Sequence, residues 1–274
     1  LFLMVLLTGS PCPGEAAEAK NLAVLLTGLS GSHAIEEYFS GALRDLRSFL
    51  LANGYDAGTI AVFSEKASEP AAVRRAGRDE LADFFETASA ETYENVFVFV
   101  AGHANGRDEN ARLHLPGPDV DYASLTAWIG RLQAHRLTVV AAVPQGHVWL
   151  EKLGRPGRVV VAGNGLRVYD FIPLYFLRYF PAALSRGLSD DPFVAPSGDD
   201  SFSLRDALED VQKRILFWYR INRLHQTELA LLDADGDGRG ESLFASEAPP
   251  DPKTPHRIPG KPEALQFVWK TFES

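Results

Sequence analysis

His103 closes an apolar run, Val96-Phe-Val-Phe-Val-Ala-Gly-His103. An imidazole at such a place can take up and return a proton near neutral pH. A second apolar run, Leu137–Val143, leads into the turn Val143-Pro-Gln-Gly146. That turn holds neither a thiol nor a hydroxyl. Val143 has no acidic proton and no lone pair, and Pro144 removes a backbone donor. Further along, Asp233-Ala-Asp-Gly-Asp-Gly238 sets carboxylates at positions 1, 3 and 5 and a glycine at position 6 of an EF-hand-like calcium loop. Glu241 falls at position 9, but Phe244 stands where a bidentate glutamate is needed at position 12. Two readings are open, a weak calcium site at Asp233, Asp235, Asp237 and Glu241, or an acidic turn built from Asp-Gly dipeptides. His33, His114, His135, His147, His225 and His256 form no pair at zinc-ligand spacing on one helix. His147 reads as a surface residue. Asp108 and Glu109 read as solvated loop charges.

Five blocks rich in Val, Ile, Leu and Phe must position these groups: Asn21–Thr27, Thr59–Ser64, Val96–Ala101, Leu137–Val143 and Arg158–Ala162. Most are apolar throughout, as in parallel strands covered on both faces. Helical patterns lie between and after them, at Glu36–Asn53, Asp79–Ala90, Asp121–His135, Gly146–Leu153 and Phe171–Leu184. Phe39, Leu43, Leu46 and Leu50 share one face of the first, and Tyr122, Leu125, Ile129 and Leu132 one face of the third. Ser203 reads as the cap of a later helix whose buried stripe is Leu204, Leu208, Val211, Ile215 and Trp218. The alternation predicts an α/β fold, a doubly wound and mainly parallel sheet with helices on both faces. Such sheets present their working residues at the carboxyl ends of the strands, where His103 and the Val143–Gly146 turn are both expected.

A chain of 274 residues with net charge −9 is long enough for one full α/β core, and the charge argues against a nucleic-acid or anionic-membrane partner. Leu1–Leu7 is a short apolar block and Ala16-Ala-Glu-Ala19 a small-x-small cleavage pattern, so residues 1–19 read as a signal peptide clipped at its start. The expectation is a secreted or periplasmic protein, with a domain over 20–247 and a Pro-rich tail over 248–274. Cys12, the single cysteine, lies inside the signal-like segment. A chain cut after Ala19 then has no disulfide, thiolate metal site or cysteine nucleophile. No other segment is apolar enough to span a bilayer, so the chain is not expected to be an integral membrane protein.

A strand ending in His, then a helix, then a strand running into a turn with a glycine resembles the catalytic layout of the caspase-like and legumain-like cysteine peptidases. The resemblance covers roughly 21–237. It includes the Gly28-Leu-Ser-Gly31 loop after the first strand, Ala162-Gly-Asn-Gly165 after the fifth, and the Tyr175–Leu184 and Ser203–Ala207 segments. It implies a caspase-like three-layer sandwich. It makes His103 the dyad histidine, Val143 the nucleophile position, and Ala104 and Gly146 the backbone around the site. In the family a thiolate attacks the scissile carbonyl and backbone N–H groups hold the oxyanion. Val143 cannot attack. The Arg-His pair that legumains carry early in the first helix is also missing, since Ile35-Glu-Glu-Tyr38 stands there.

The expected function is accordingly a pseudo-peptidase that binds a peptide or protein partner through a retained groove. One alternative is an active hydrolase pairing His103 with another nucleophile, Ser30 and Ser32 at the carboxyl end of the first strand being the candidates. Another is a structural or adhesion module stabilised by calcium. No further cofactor is expected.

Overall fold

The computed structural model describes residues 20–67, 73–166, 171–186 and 203–243. The signal-like segment, the acidic 189–200 loop and the 248–274 tail lie outside them. Eight strands form one sheet: β1 (Asn21–Thr27), β2 (Ile60–Ser64), β3 (Val73–Arg75), β4 (Thr92–Ala101), β8 (Gln133–Ala142), β9 (Arg158–Ala162), β10 (Leu231–Asp233) and β11 (Glu241–Ser242). Their order is β11-β10-β9-β8-β4-β1-β2-β3. The six strands from β9 to β3 are parallel, and β10 and β11 are antiparallel at one margin. A second, three-stranded sheet is made by β5 (Ala104–Asn105), β6 (Arg112–Leu113) and β7 (Val120–Asp121).

Side chains alternate through the sheet and feed two separate cores. Ala23, Leu25, Phe97, Phe99, Val140 and Val161 point to one face, where α1 (His33–Ala52), α5 (Leu174–Arg186) and α6 (Leu204–Ile221) pack. Leu22, Val24, Val98, Val139, Ala141 and Val160 point to the other, under α2 (Arg78–Ser89), α3 (Tyr122–Gly130) and α4 (His147–Leu153). The expected doubly wound, mainly parallel sandwich is therefore present. Both faces are covered, which is why the strands read as unbroken apolar runs.

Local signals hold at the helices. Ser32 caps α1 through the Ile35 N–H, and its buried face contains Phe39, Leu43, Leu46 and Leu50. Gly54, at φ +79°, turns the chain away just past its end. Ser203 and Asp206 form a reciprocal capping box on α6, whose stripe is buried except for the half-buried Trp218.

Two expectations need correction. The helix expected over Asp121–His135 stops at Gly130, and residues 133–136 belong to β8, where they pair with residues 92–95 of β4. This extension alternates exposed and half-buried, so it carries no apolar run. The fourth strand ends at Ala142, one residue before Val143.

Candidate functional site

Strands β4 and β8 end level with one another, with Ala101 opposite Ala142. Gly102-His103 and Val143-Pro144 therefore leave the sheet side by side at its carboxyl edge. His103 is half-buried, and its carbonyl accepts the His114 N–H at 3.0 Å. Ala104, also half-buried, starts β5 opposite Leu113. The edge thus gathers His103, Ala104, Val143 and Gly146.

Val143 continues the alternation of β8 and points into the core beneath α3 and α4, with 0% exposure. The Pro144 carbonyl accepts the Tyr122 hydroxyl at 2.9 Å, and the Tyr122 ring meets Trp149 edge-on at 5.5 Å. Gln145 takes φ +53°, a left-handed conformation that costs a side-chain-bearing residue about 1–2 kcal/mol. Its amide offsets that strain from both ends. Nε2 donates to the Gly106 carbonyl and Oε1 accepts the Asp108 N–H, each at 2.8 Å. Gly146 donates to the Asn164 carbonyl at 2.9 Å. A Cβ on Gly146 would lie 2.8 Å from that same oxygen and 2.8 Å from the Ala162 methyl, so no larger residue fits. Hydrogen bonds and packing fix the turn on every side.

Several other polar groups near this edge have structural partners, while Thr27 Oγ1 and His114 Nε2 are buried without a hydrogen bond among the described residues. The hydroxyl and N–H of Ser30 both donate to the Glu65 carboxylate, at 2.9 and 3.1 Å, while Ser32 is the cap of α1. Glu109 pairs with Lys152. His147, expected at the surface, is buried at the start of α4, with Nε2 3.8 Å from the carboxylate of the exposed Asp108. Its burial follows from position: it comes directly after Gly146, which is packed against Ala162 and Asn164. The edge thus sets the His103 imidazole beside an apolar, fixed turn.

Glu228 carries no motif, and sequence reasoning missed it. It is 3% exposed and sits at the N-terminus of α5, accepting the N–H groups of Tyr175 and Phe176 at 3.0–3.2 Å. Burial pushes its carboxyl up to about 7, against the lowering effect of those donors. Its only sequence signal is an acid set directly before the apolar run Leu229-Ala-Leu-Leu232.

The acidic loop lies elsewhere. Since β10 runs antiparallel to β9, with Asp233 opposite Val160, the chain leaves Asp233 toward the amino edge of the sheet. There Asp233, Asp235 and Asp237 bring carboxylate oxygens within 4.8 Å of one another. Asp233 is buried and accepts the Gly236 and Gly238 N–H groups at 2.7 and 2.9 Å. Burial raises its carboxyl above the usual range, with those two bonds opposing the shift and the Asp237 and Asp235 charges adding to it. Glu241 stands apart from this group, opposite Leu232 in β11 and 3.9 Å from Arg205. Three oxygens on one side of a loop suit a hard divalent cation such as calcium, which takes six to eight oxygen ligands in total. A cleft of about 500 Å³ runs along α4 and touches both regions, from His147 and Glu151 to Asp237 and Arg239. Among the described residues, no helix is long and apolar enough to cross a membrane.

No family model and no curated protein matches the chain. Among solved structures it is similar to the Drosophila initiator caspase Dronc. That match has 9% identity and a TM-score of 0.46, and it covers 82% of this chain and 82% of that one.

Proposed function

We propose that the chain is an exported pseudo-peptidase of the caspase-like and legumain-like group, unable to cut peptides by covalent chemistry, that binds a peptide or protein partner. The observation that carries this reading is the turn after β8. Where the resemblance calls for a nucleophile, Val143 is packed in the core, and the residues around it are committed to backbone hydrogen bonds. Ser30 and Ser32 are engaged by Glu65 and by the α1 N-terminus, so the geometry gives no support to a Ser–His pair. The cleft along α4 is the concave surface we assign to the partner. The test is hydrolysis of a peptide library by the purified chain beside its His103→Ala variant. The proposal expects no cleavage from either. Cleavage that vanishes with His103→Ala would overturn it.

A second reading rests on the convergence of Asp233, Asp235 and Asp237, namely a weak calcium site that stabilises the β10–β11 margin. A ligand that binds only the folded state must raise Tm. No shift at millimolar calcium removes this reading.

A further inference from the structure

The outer face of α6 is left uncovered near its C-terminal end. Phe217, Ile221 and Leu224 are 65%, 60% and 54% exposed, whereas Leu208, Val211 and Ile215 of the same helix are fully buried. A spacing of four places Phe217 and Ile221 on one side of α6, and Leu224 follows past the helix end, beyond the left-handed Arg223 (φ +54°), with its N–H bonded to the Tyr219 carbonyl. They make up three of the six large apolar side chains exposed among the described residues. Exposed Lys213, Arg220 and Arg223 flank them in a chain whose net charge is −9. A cluster of this kind marks a surface that meets something.

The chain itself supplies a candidate at the right place. Glu241 lies 3.9 Å from Arg205 in the first turn of α6, and Leu243 packs against the core that α6 helps to build. Leu243, the residue before 244–274, therefore lies near the first turn of this helix. The stretch 244–262 can extend roughly 60 Å, and α6 is about 27 Å long, so the last residues of the chain can reach any point of its outer face. Those residues include Glu263-Ala-Leu-Gln-Phe-Val-Trp-Lys-Thr-Phe-Glu273, in which Leu265, Val268, Trp269 and Phe272 recur at helical spacing between two acidic ends. The acidic ends of this pattern suit the basic flanks of the α6 stripe.

We propose that residues 263–274 dock on the Phe217–Ile221 face of α6 in the same chain as an amphipathic segment. Tethering gives the segment an effective concentration on the order of millimolar, so even a weak intrinsic affinity closes the contact. The exposed apolar stripe and the apolar segment then cover each other.

Hydrogen–deuterium exchange on the full chain tests this, together with Ile221→Asp, Phe217→Asp and Trp269→Asp variants. The first two positions are exposed, so either variant should still fold and unfold cooperatively. The expected result is backbone exchange over 263–274 about tenfold slower than in any of the three variants, at all protein concentrations. Free-chain exchange rates over 263–274 in the unmodified protein would overturn the proposal. Protection that survives both Ile221→Asp and Phe217→Asp would do so too, since the segment would then dock elsewhere. Protection that appears only as concentration rises would assign the face to a second copy and would also overturn it.

Discussion

The carboxyl and amino edges of the sheet use their polar residues in opposite ways. At the carboxyl edge, Gln145, Tyr122 and Glu228 turn inward and hold backbone: the 106–108 loop, the Pro144 carbonyl and the start of α5. At the amino edge, Asp235 and Asp237 are exposed and converge with Asp233 around a common point. The edge that carries His103 and the Val143 turn is thus built like a core. The opposite edge brings three carboxylates together in a loop, two of them exposed. Position relative to a fold's usual working face does not by itself say where the accessible chemistry is.

This contrast can be broken by substitution. The largest effect is expected at the support of the carboxyl edge. Trp149, at 0% exposure, fills the space beneath the turn, and Trp149→Ala should cost about 3–5 kcal/mol in urea unfolding. A cost below about 1 kcal/mol would mean the turn is not packed as described.

Next comes Glu228. Its carboxyl binds a proton more tightly in the folded protein, at about 7, than in the unfolded chain, at the ordinary value of 4.5. The stability this one group contributes is therefore fully present below about 4.5 and is lost as pH rises toward 7, on the order of 2–3 kcal/mol. Glu228→Gln should flatten that part of the profile. An unchanged slope in the variant would place the titration on another group.

Gln145 comes third. Gln145→Ala leaves the Asp108 N–H and the Gly106 carbonyl without their partner while keeping the left-handed backbone, and should cost about 1–3 kcal/mol. Gln145→Gly loses the same bonds but relieves the strain, and should be milder by about 1 kcal/mol. Equal losses would show that the backbone conformation carries no strain. The smallest effect is expected at the amino edge. Asp235→Ala should change stability little without calcium, within about 0.5 kcal/mol, and should abolish any rise in Tm that calcium produces.

How much of this was legible in the sequence differs between the two edges for the same reason that they differ in build. The Asp233–Gly238 loop was readable because its carboxylate spacing and Asx-type bonds lie within six consecutive residues. The five central strands were readable because burial on both faces leaves no alternation to interpret, and β1 and β9 match to the residue, whereas β3, β10 and β11 span only two or three residues each and carry no such run. The β4 and β8 extensions were not readable, because residues 92–95 and 133–136 are strands through pairing with one another, with Asn95 also opposite Asn21 of β1, and not through an apolar run of their own. His103 and the Val143 turn could be placed at one edge from strand order. The role of Gln145 could not, since it depends on a loop 37–39 residues away approaching a left-handed turn. Glu228 was hidden for a similar reason. Its partners are the backbone amides of a helix 52–53 residues earlier, which no side-chain pattern records.

The most direct test of the central claim is the reactivity of a thiol placed at position 143, in a Val143→Cys, Cys12→Ser chain. The account predicts a thiol that alkylating reagents reach only on unfolding, with no peptide hydrolysis gained, because that side chain belongs to the core beneath α3 and α4. Rapid alkylation of the folded chain, slowed by His103→Ala and accompanied by peptide cleavage, would contradict it. That result would mean position 143 opens onto a working site.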